Sequence, residues 1–262
     1  MTLGSLFTGI GGFDLAATWA GIDIVYQIEI DPFCNQLLEK RFPNVQRYND
    51  ITRIPNGLLP RTDIITGGFP CQPFSVAGKQ RGKEDDRALW PHMLRIIKDT
   101  KPTWVIGENV PGIINMELDN ILDDLEREGY TTQTLDIPAF AVGACHKRHR
   151  IWILAHSNKE SQSRFSLDDK KMASHSKQSG WERVLCNNIK RKQEQDKSAI
   201  TLDAQRDYFE QFAEIVGKPA VQRMDDGIPN RVDRLGAVGN AIVPQVAYIL
   251  LSYIKELEIT NE

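Results

Sequence analysis

No two of the four cysteines are spaced as zinc ligands are: they stand scattered at Cys34, Cys71, Cys145 and Cys186 of 262 residues. This argues against a zinc centre, and in a chain of this length it points to reduced thiols in the cytoplasm over a disulfide framework. No apolar run approaches the roughly 20 residues that span a bilayer. The first residues, Met1-Thr2-Leu3-Gly4-Ser5, lack a basic stretch leading into an apolar one, so neither a membrane span nor a secretory signal is expected. A Gly-x-x-x-x-Gly-Lys-Ser/Thr loop is missing, which makes a nucleoside triphosphate site unexpected. There is no internal repeat. What remains is ordinary for a soluble globular protein, with 41% hydrophobic and 26% charged residues. The length suits one large domain, or one domain with a small companion.

The net charge of −3 conceals an asymmetry. From His146 to Lys192 there are twelve Lys/Arg and four Asp/Glu, a local balance of +8 that leaves −11 for the remainder. A basic segment on an acidic body suits a polyanionic partner at one surface. A solvated lysine-rich insert reads the same way in charge alone.

Up to residue 155 the chain alternates strand and helix patterns. Strands are expected at Leu3 to Phe7, Ile24 to Ile30, Asp63 to Thr66 and Trp104 to Gly107. Helices are expected at Phe13 to Ala20, Leu89 to Thr100 and Leu118 to Glu128, the last closed by Gly129. A further helix, Pro32 to Arg41, opens with Asp31 as N-cap and proline at its first position. Thr131 to Asp136 and Arg150 to Ala155 read as an antiparallel pair. This alternation predicts an α/β fold, a mainly parallel sheet covered by helices. Residues 156 to about 200 turn rich in Ser, Lys, Gln and Asn. Ala204 to Val216 reads as helical, and an apolar helical pattern returns between Leu235 and Leu257, after Pro244. The expected organisation is a large domain of residues 1–155 and 235–262 with a small polar region, 156–234, inserted in it.

Two segments carry chemical signals. Leu6-Phe7-Thr8-Gly9-Ile10-Gly11-Gly12 follows the first strand and opens a helix, where glycines let backbone N–H groups approach a ligand. It does not match Gly-x-Gly-x-x-Gly. Glu29 closes the second strand and can accept both hydroxyls of a ribose. Asp50 at the next crossover can accept from an adenine amino group, and Phe7 offers an aromatic face. Taken in order, glycine loop, acid and acid favour an adenosine-containing cofactor. The second segment is Gly67-Gly68-Phe69-Pro70-Cys71-Gln72-Pro73-Phe74-Ser75. A thiol between two prolines at the exit of a strand reads as a nucleophile on a rigid mount, or equally as a proline-rich turn with an incidental cysteine.

These residues resemble the C5-cytosine-specific DNA methyltransferases, in the manner of their small bacterial and prophage members. The likeness rests on five blocks in the family's order: Leu6 to Phe13, Gly68 to Ser75, Glu108-Asn109-Val110, Arg148-His149-Arg150-Ile151-Trp152-Ile153, and Gly239-Asn240-Ala241-Ile242-Val243-Pro244. Two positions depart: Ser5 stands where many members have Asp, and His146 replaces a usual Gln.

The resemblance implies a Rossmann-like S-adenosylmethionine-dependent domain, with the basic middle as the target recognition domain. It implies cofactor contacts from Phe7, Gly9, Gly11, Gly12, Glu29, Ile30, Asp50, Ile51, Leu89 and Asn240. It makes Cys71 the nucleophile that adds to C6 of a flipped-out cytosine in double-stranded DNA, with Glu108 at N3 and the exocyclic amine. Arg150 is expected at O2 of the base and Arg148 on Glu108 or a phosphate. Pro70, Gln72, Ser75, Lys79 and Arg81 are expected to meet the DNA, the last three in a polar loop from Ser75 to Arg87 that closes as a lid. No metal is expected. The expected product is 5-methylcytosine, made by a cytoplasmic, nucleoid-associated monomer, as part of restriction-modification if a cognate restriction endonuclease accompanies it. A tRNA cytosine methyltransferase and a DNA- or S-adenosylmethionine-binding regulator without catalysis are the competing expectations.

Overall fold

A computed structural model of the chain describes residues 1–70, 89–144, 148–157 and 239–261. The chain divides into two compact units, Met1–Ser161 with Asn240–Glu262, and Gln162–Gly239. All described residues but Gly239 lie in the first. The expected helix over Ala204 to Val216 lies outside the described residues, as does nearly all of the region expected to recognise the target.

In chain order the first unit runs β1 (Thr2–Leu6), α1 (Gly12–Trp19), β2 (Asp23–Ile28), α2 (Pro32–Arg41), β3 (Gln46–Tyr48), β4 (Ile64–Gly67), α3 (Trp90–Thr100), β5 (Trp104–Asn109), α4 (Leu118–Arg127), β6 (Tyr130–Pro138), β7 (His149–Ser157) and α5 (Pro244–Asn261). The seven strands form one sheet in the order β3-β2-β1-β4-β5-β7-β6. The first five are mutually parallel, and β7 pairs antiparallel with both β5 and β6. The α/β expectation and the antiparallel pair therefore hold. α2 begins as its sequence dictates, with Asp31 accepting a hydrogen bond from the Cys34 N–H at 2.9 Å and Pro32 at the first position. β3 was not expected: three residues with half-exposed side chains carry no strand pattern.

Both faces of the sheet are covered. On one, Met93, Ile96 and Ile97 of α3 and Ile121 and Leu125 of α4 join Ile65, Val105, Ile151 and Ile153 in a single core cluster. Trp152 points the opposite way, as strand alternation requires, and meets the edge of Phe13 of α1 at 5.8 Å. α1 and α5 pack together on that side. Residues Val246, Ala247, Leu250, Leu251 and Ile254 of α5 are buried.

This topology places the site. The strand order reverses between β1 and β4, and ligands of open parallel sheets bind outside the carboxyl ends at such a switch. The ends of β1, β4 and β5 lie there together. Because β7 runs antiparallel, its beginning, with Arg150, comes to the same edge.

Candidate active site

β1 ends at Leu6, and the chain turns sharply through Phe7 to Gly11. Phe7, expected within the strand, instead takes a left-handed φ of 51°, and Gly9 and Gly11 follow at 57° and 87°. A non-glycine residue there is strained, and such residues concentrate at functional sites. The Thr8 hydroxyl donates to the carbonyls of Ser5 and Ile28 at 3.1 and 3.2 Å, tying the turn to β1 and β2. Glu29, one residue past β2, lies against the loop: its Oε2 accepts the Gly9 N–H at 2.6 Å and its Oε1 the Asp31 N–H at 2.8 Å. Burial pushes the Glu29 carboxyl up, against the pull of these N–H groups. Ile30 beside it is 69% exposed, an apolar surface next to the acid.

Asp50 caps the start of the short 3₁₀ turn Ile51–Arg53. Its Oδ1 accepts from the backbone N–H and hydroxyl of Thr52 at 2.9 and 2.7 Å, and its Oδ2 lies 3.2 Å from Arg53 Nε. The Thr52 hydrogen bonds hold its carboxyl below the usual range. Ile51 is buried in the core cluster. Arg95 of α3, which the sequence did not single out, fixes this loop by donating to the carbonyls of Ile51 and Ile54, each at 2.8 Å, and to Asn56 Oδ1 at 2.9 Å. Leu89 is half-buried at the N-cap of α3.

The acid of the site sits within β5 and not after it. Glu108 is 7% exposed. Its Oε1 lies 2.9 Å from Arg150 Nε. Burial raises its carboxyl from 4.5 to about 7, and the charges of Arg150 and then Arg148 oppose the rise. The register explains the pairing. Glu108 stands opposite Trp152, so Arg150 is its diagonal neighbour on the same face. Arg150, expected at O2 of the base, thus lies on Glu108, a place the sequence reading offered to Arg148 as one of two, the other being a phosphate. Arg148 has a left-handed φ of 34° and donates to the Ala241 carbonyl at 2.8 Å. Burial and the Arg150 charge lower its affinity for its proton. His149 between them points to the other face, 3.1 Å from Asp136.

The segment before α5 closes over these parts. A Cβ built at Gly12 would lie 3.2 Å from both Cβ and the carbonyl oxygen of Ile242. One built at Gly68 would lie 3.3 Å from Glu108 Oε2 and 3.5 Å from Ile242 Cδ1. Glycine at both positions lets Ile242 pack against the glycine loop and the approach to Cys71 at once. Asn240 is exposed. Asn109, buried behind Glu108, donates through Nδ2 to the Phe69 carbonyl at 2.8 Å and accepts the Val110 N–H on Oδ1 at 2.9 Å. The sequence pattern includes this residue in a block without giving it a task. Its burial in a strand becomes visible only with the fold.

Ser5, one of the two departures, has a partner. Its hydroxyl donates to Asp14 Oδ2 at 2.9 Å, and Gln27 Nε2 donates to Asp14 Oδ1 at 2.7 Å. All three are fully buried between β1, β2 and the first turn of α1. Burial lifts Asp14 from 3.8 to about 6, against both hydrogen bonds. Cys34 is buried and its thiol is pushed up to about 12, which leaves it a packing residue.

Pro70 is exposed at the last described position before a gap. Cys71, Gln72, Ser75, Lys79, Arg81, Cys145 and His146 lie outside the described residues. Among the described residues no His, Cys, Asp and Glu gather as a metal site, and no helix is long and apolar enough to cross a membrane.

The profile of the C-5 cytosine-specific DNA methylases matches residues 1–223. The chain is 34% identical over 158 residues to the type II methyltransferase M.HhaI of Haemophilus parahaemolyticus, covering 58% of this chain and 48% of that protein. It is 35% identical over 166 residues to M.MspI of a Moraxella species, covering 61% and 40%. It therefore spans half or less of the length of these relatives. A Dnmt2 mutant from Spodoptera frugiperda superimposes with a TM-score of 0.52 at 25% identity, over 61% of this chain and 51% of that one. The S. pombe Dnmt2 methyltransferase, at 17% identity, shares the fold over 98% of both chains with a TM-score of 0.62. With a glycine loop, a buried acid and an arginine strand at one sheet edge, and with this match over most of its length, the chain belongs to the C-5 cytosine-specific DNA methylase family.

Proposed function

We propose that the protein transfers a methyl group from S-adenosylmethionine to C5 of a flipped-out cytosine in a short sequence of double-stranded DNA, through a covalent bond between Cys71 and C6. The observation that carries this reading is the buried Glu108, raised to about 7 and paired with Arg150 at the end of the strand beside the one that leads to Cys71.

The residues present fit the cofactor. The turn from Phe7 to Gly12 offers backbone N–H groups, Glu29 offers a carboxylate at ribose reach of that turn, and the exposed Ile30 offers a flat apolar face for the adenine. Phe7, Gly9, Gly11, Gly12, Glu29, Ile30, Asp50, Leu89 and Asn240 would hold it. When bound, it supplies the electrophilic methyl group.

C5 of cytosine is a poor nucleophile until C6 is attacked. The Cys71 thiolate forms a bond to C6, and the ring electrons move towards C5 and N3. Glu108, whose burial favours the neutral form, donates to N3 and takes up the charge that develops there. Arg150 keeps that carboxyl oriented and favours its ionised form once the proton is shared. C5 then takes the methyl group and gives up its proton to water, N3 returns its proton to Glu108, and Cys71 leaves C6 as a thiolate, which restores the aromatic ring. The base must leave the duplex first, at a cost of a few kcal/mol.

We assign catalysis to residues 1–155 and 235–262 and target recognition to 156–234, which takes in most of the basic segment that would track the DNA backbone. Gln72, Ser75, Lys79 and Arg81 are assigned to DNA contacts and to a lid. A cognate restriction endonuclease belongs to the same reading.

Incubation with unmethylated duplex DNA and methyl-labelled S-adenosylmethionine should place label on cytosine C5, with none from Cys71→Ser. Label on tRNA in preference to DNA, or cofactor binding without transfer, would overturn it.

A further inference from the structure

We propose that Asn109 is a positioning residue for the nucleophile, through a side-chain clamp that joins the ends of β4 and β5 and fixes the Phe69 carbonyl two residues before Cys71. The inference rests on the reading of Cys71 as the nucleophile.

Backbone pairing between β4 and β5 ends at Gly67 opposite Gly107. Continued in the same register, the next same-facing pair would be Phe69 and Asn109. There the backbones no longer bond to each other, and the Asn109 side chain replaces the ladder: Nδ2 donates to the Phe69 carbonyl at 2.8 Å. The other end of the amide is fixed too, because Oδ1 accepts the Val110 N–H at 2.9 Å. A buried amide with both ends engaged has one orientation. Gly68, between Gly67 and Phe69, has no side chain to fill the space in which Glu108 Oε2 lies.

The Phe69 carbonyl is worth holding. Pro70 has no N–H, so the chain entering Cys71 has no backbone donor at that residue, and the Phe69 carbonyl is the backbone group next to it that a side chain can hold. The Phe69 side chain is held from the other side by Trp90, whose ring lies 5.3 Å away and whose indole N–H donates to Asp124 Oδ2 at 3.0 Å. Adjacent residues of β5 thus point to opposite faces, with Glu108 towards the base and Asn109 holding the nucleophile's mount. The end of β5 thus carries both the acid and the anchor of the segment that leads to Cys71. A shift near 1 Å in such a mount costs about a hundredfold in rate.

The test is single-turnover methyl transfer and the rate of covalent adduct formation on 5-fluorocytosine duplex DNA, alongside affinity for S-adenosylmethionine and for DNA. Asn109→Ser keeps an acceptor near the Val110 N–H but cannot reach the Phe69 carbonyl. Both rates should fall about a hundredfold, with both affinities within about threefold of wild type. Val110→Pro removes the other anchor at a residue whose φ of −72° and ψ of 154° suit proline, and it should slow adduct formation more than Val110→Ala, which keeps the N–H. A folded Asn109→Ser with wild-type rates, or Val110→Pro as fast as Val110→Ala, overturns the clamp. Parallel loss of cofactor affinity and rate would make the residue merely structural and also overturn it. If the wild-type protein forms no adduct, it is the methyltransferase reading that fails.

Discussion

Replacing Asp14 with asparagine should stabilise the protein at neutral pH, and the gain should vanish in acid. Asp14 is fully buried, with its carboxylate held by two neutral side-chain donors, the Ser5 hydroxyl and the Gln27 amide. These do not offset the loss of water, so its carboxyl rises from 3.8 to about 6. The folded value lies above the unfolded one. Protonation therefore favours folding: the contribution is complete below pH 3.8 and lost as pH rises through about 6. A shift of about two units corresponds to about 3 kcal/mol. Asparagine keeps the geometry, since its carbonyl can accept from Gln27 and its amide can donate to the Ser5 oxygen. In urea titrations from about pH 4 to about pH 8, the Asp14→Asn variant should match wild type at the acid end and exceed it by about 2 to 3 kcal/mol at the alkaline end, with equal m-values. The difference between the two proteins isolates Asp14 from Glu108, whose raised carboxyl acts with the same sign. A difference that does not change with pH, or a variant less stable than wild type in the alkaline titrations, would refute the reasoning.

Two further predictions concern the site. The neutral form of Glu108 is lost above about pH 7. Methyl transfer should decline on that side, and Glu108→Gln should remove the alkaline limb while lowering the single-turnover rate by about 10² to 10⁴, as read from pH–rate profiles. Gly12→Ala places a methyl group 3.2 Å from the Ile242 backbone. It should displace the closing segment and weaken S-adenosylmethionine binding about tenfold by calorimetry, or about 1.4 kcal/mol.

Much of this architecture is legible in the sequence because its signals are local. The Asp31-Pro32 start of α2, the apolar periodicity of α3 and the glycine turn after β1 are each written within a few residues. What was not legible depends on partners far along the chain. β3 has three residues and no pattern. Glu108 and Asn109 look like a loop because they are polar, yet they complete β5, where one pairs with Arg150 and the other with the Phe69 carbonyl. Whether Arg148 or Arg150 meets Glu108 depends on the register of β7 against β5, which two alternating arginines do not reveal. Ser5 reads as a departure from the family until Asp14 and Gln27, 9 and 22 positions further on, close around it. The five blocks pointed to the family, while the pairings among their residues became visible only with the fold.

The central claim is the reversible bond between Cys71 and C6 of cytosine, and it can be trapped. With fluorine at C5 there is no proton to release, so Cys71 cannot leave after methyl transfer. Incubated with S-adenosylmethionine and duplex DNA carrying 5-fluorocytosine in its target sequence, the protein should form a band of protein and DNA that survives denaturation, and Cys71→Ser should form none. No band from the wild-type protein, or an equal band from the serine variant, would contradict the account.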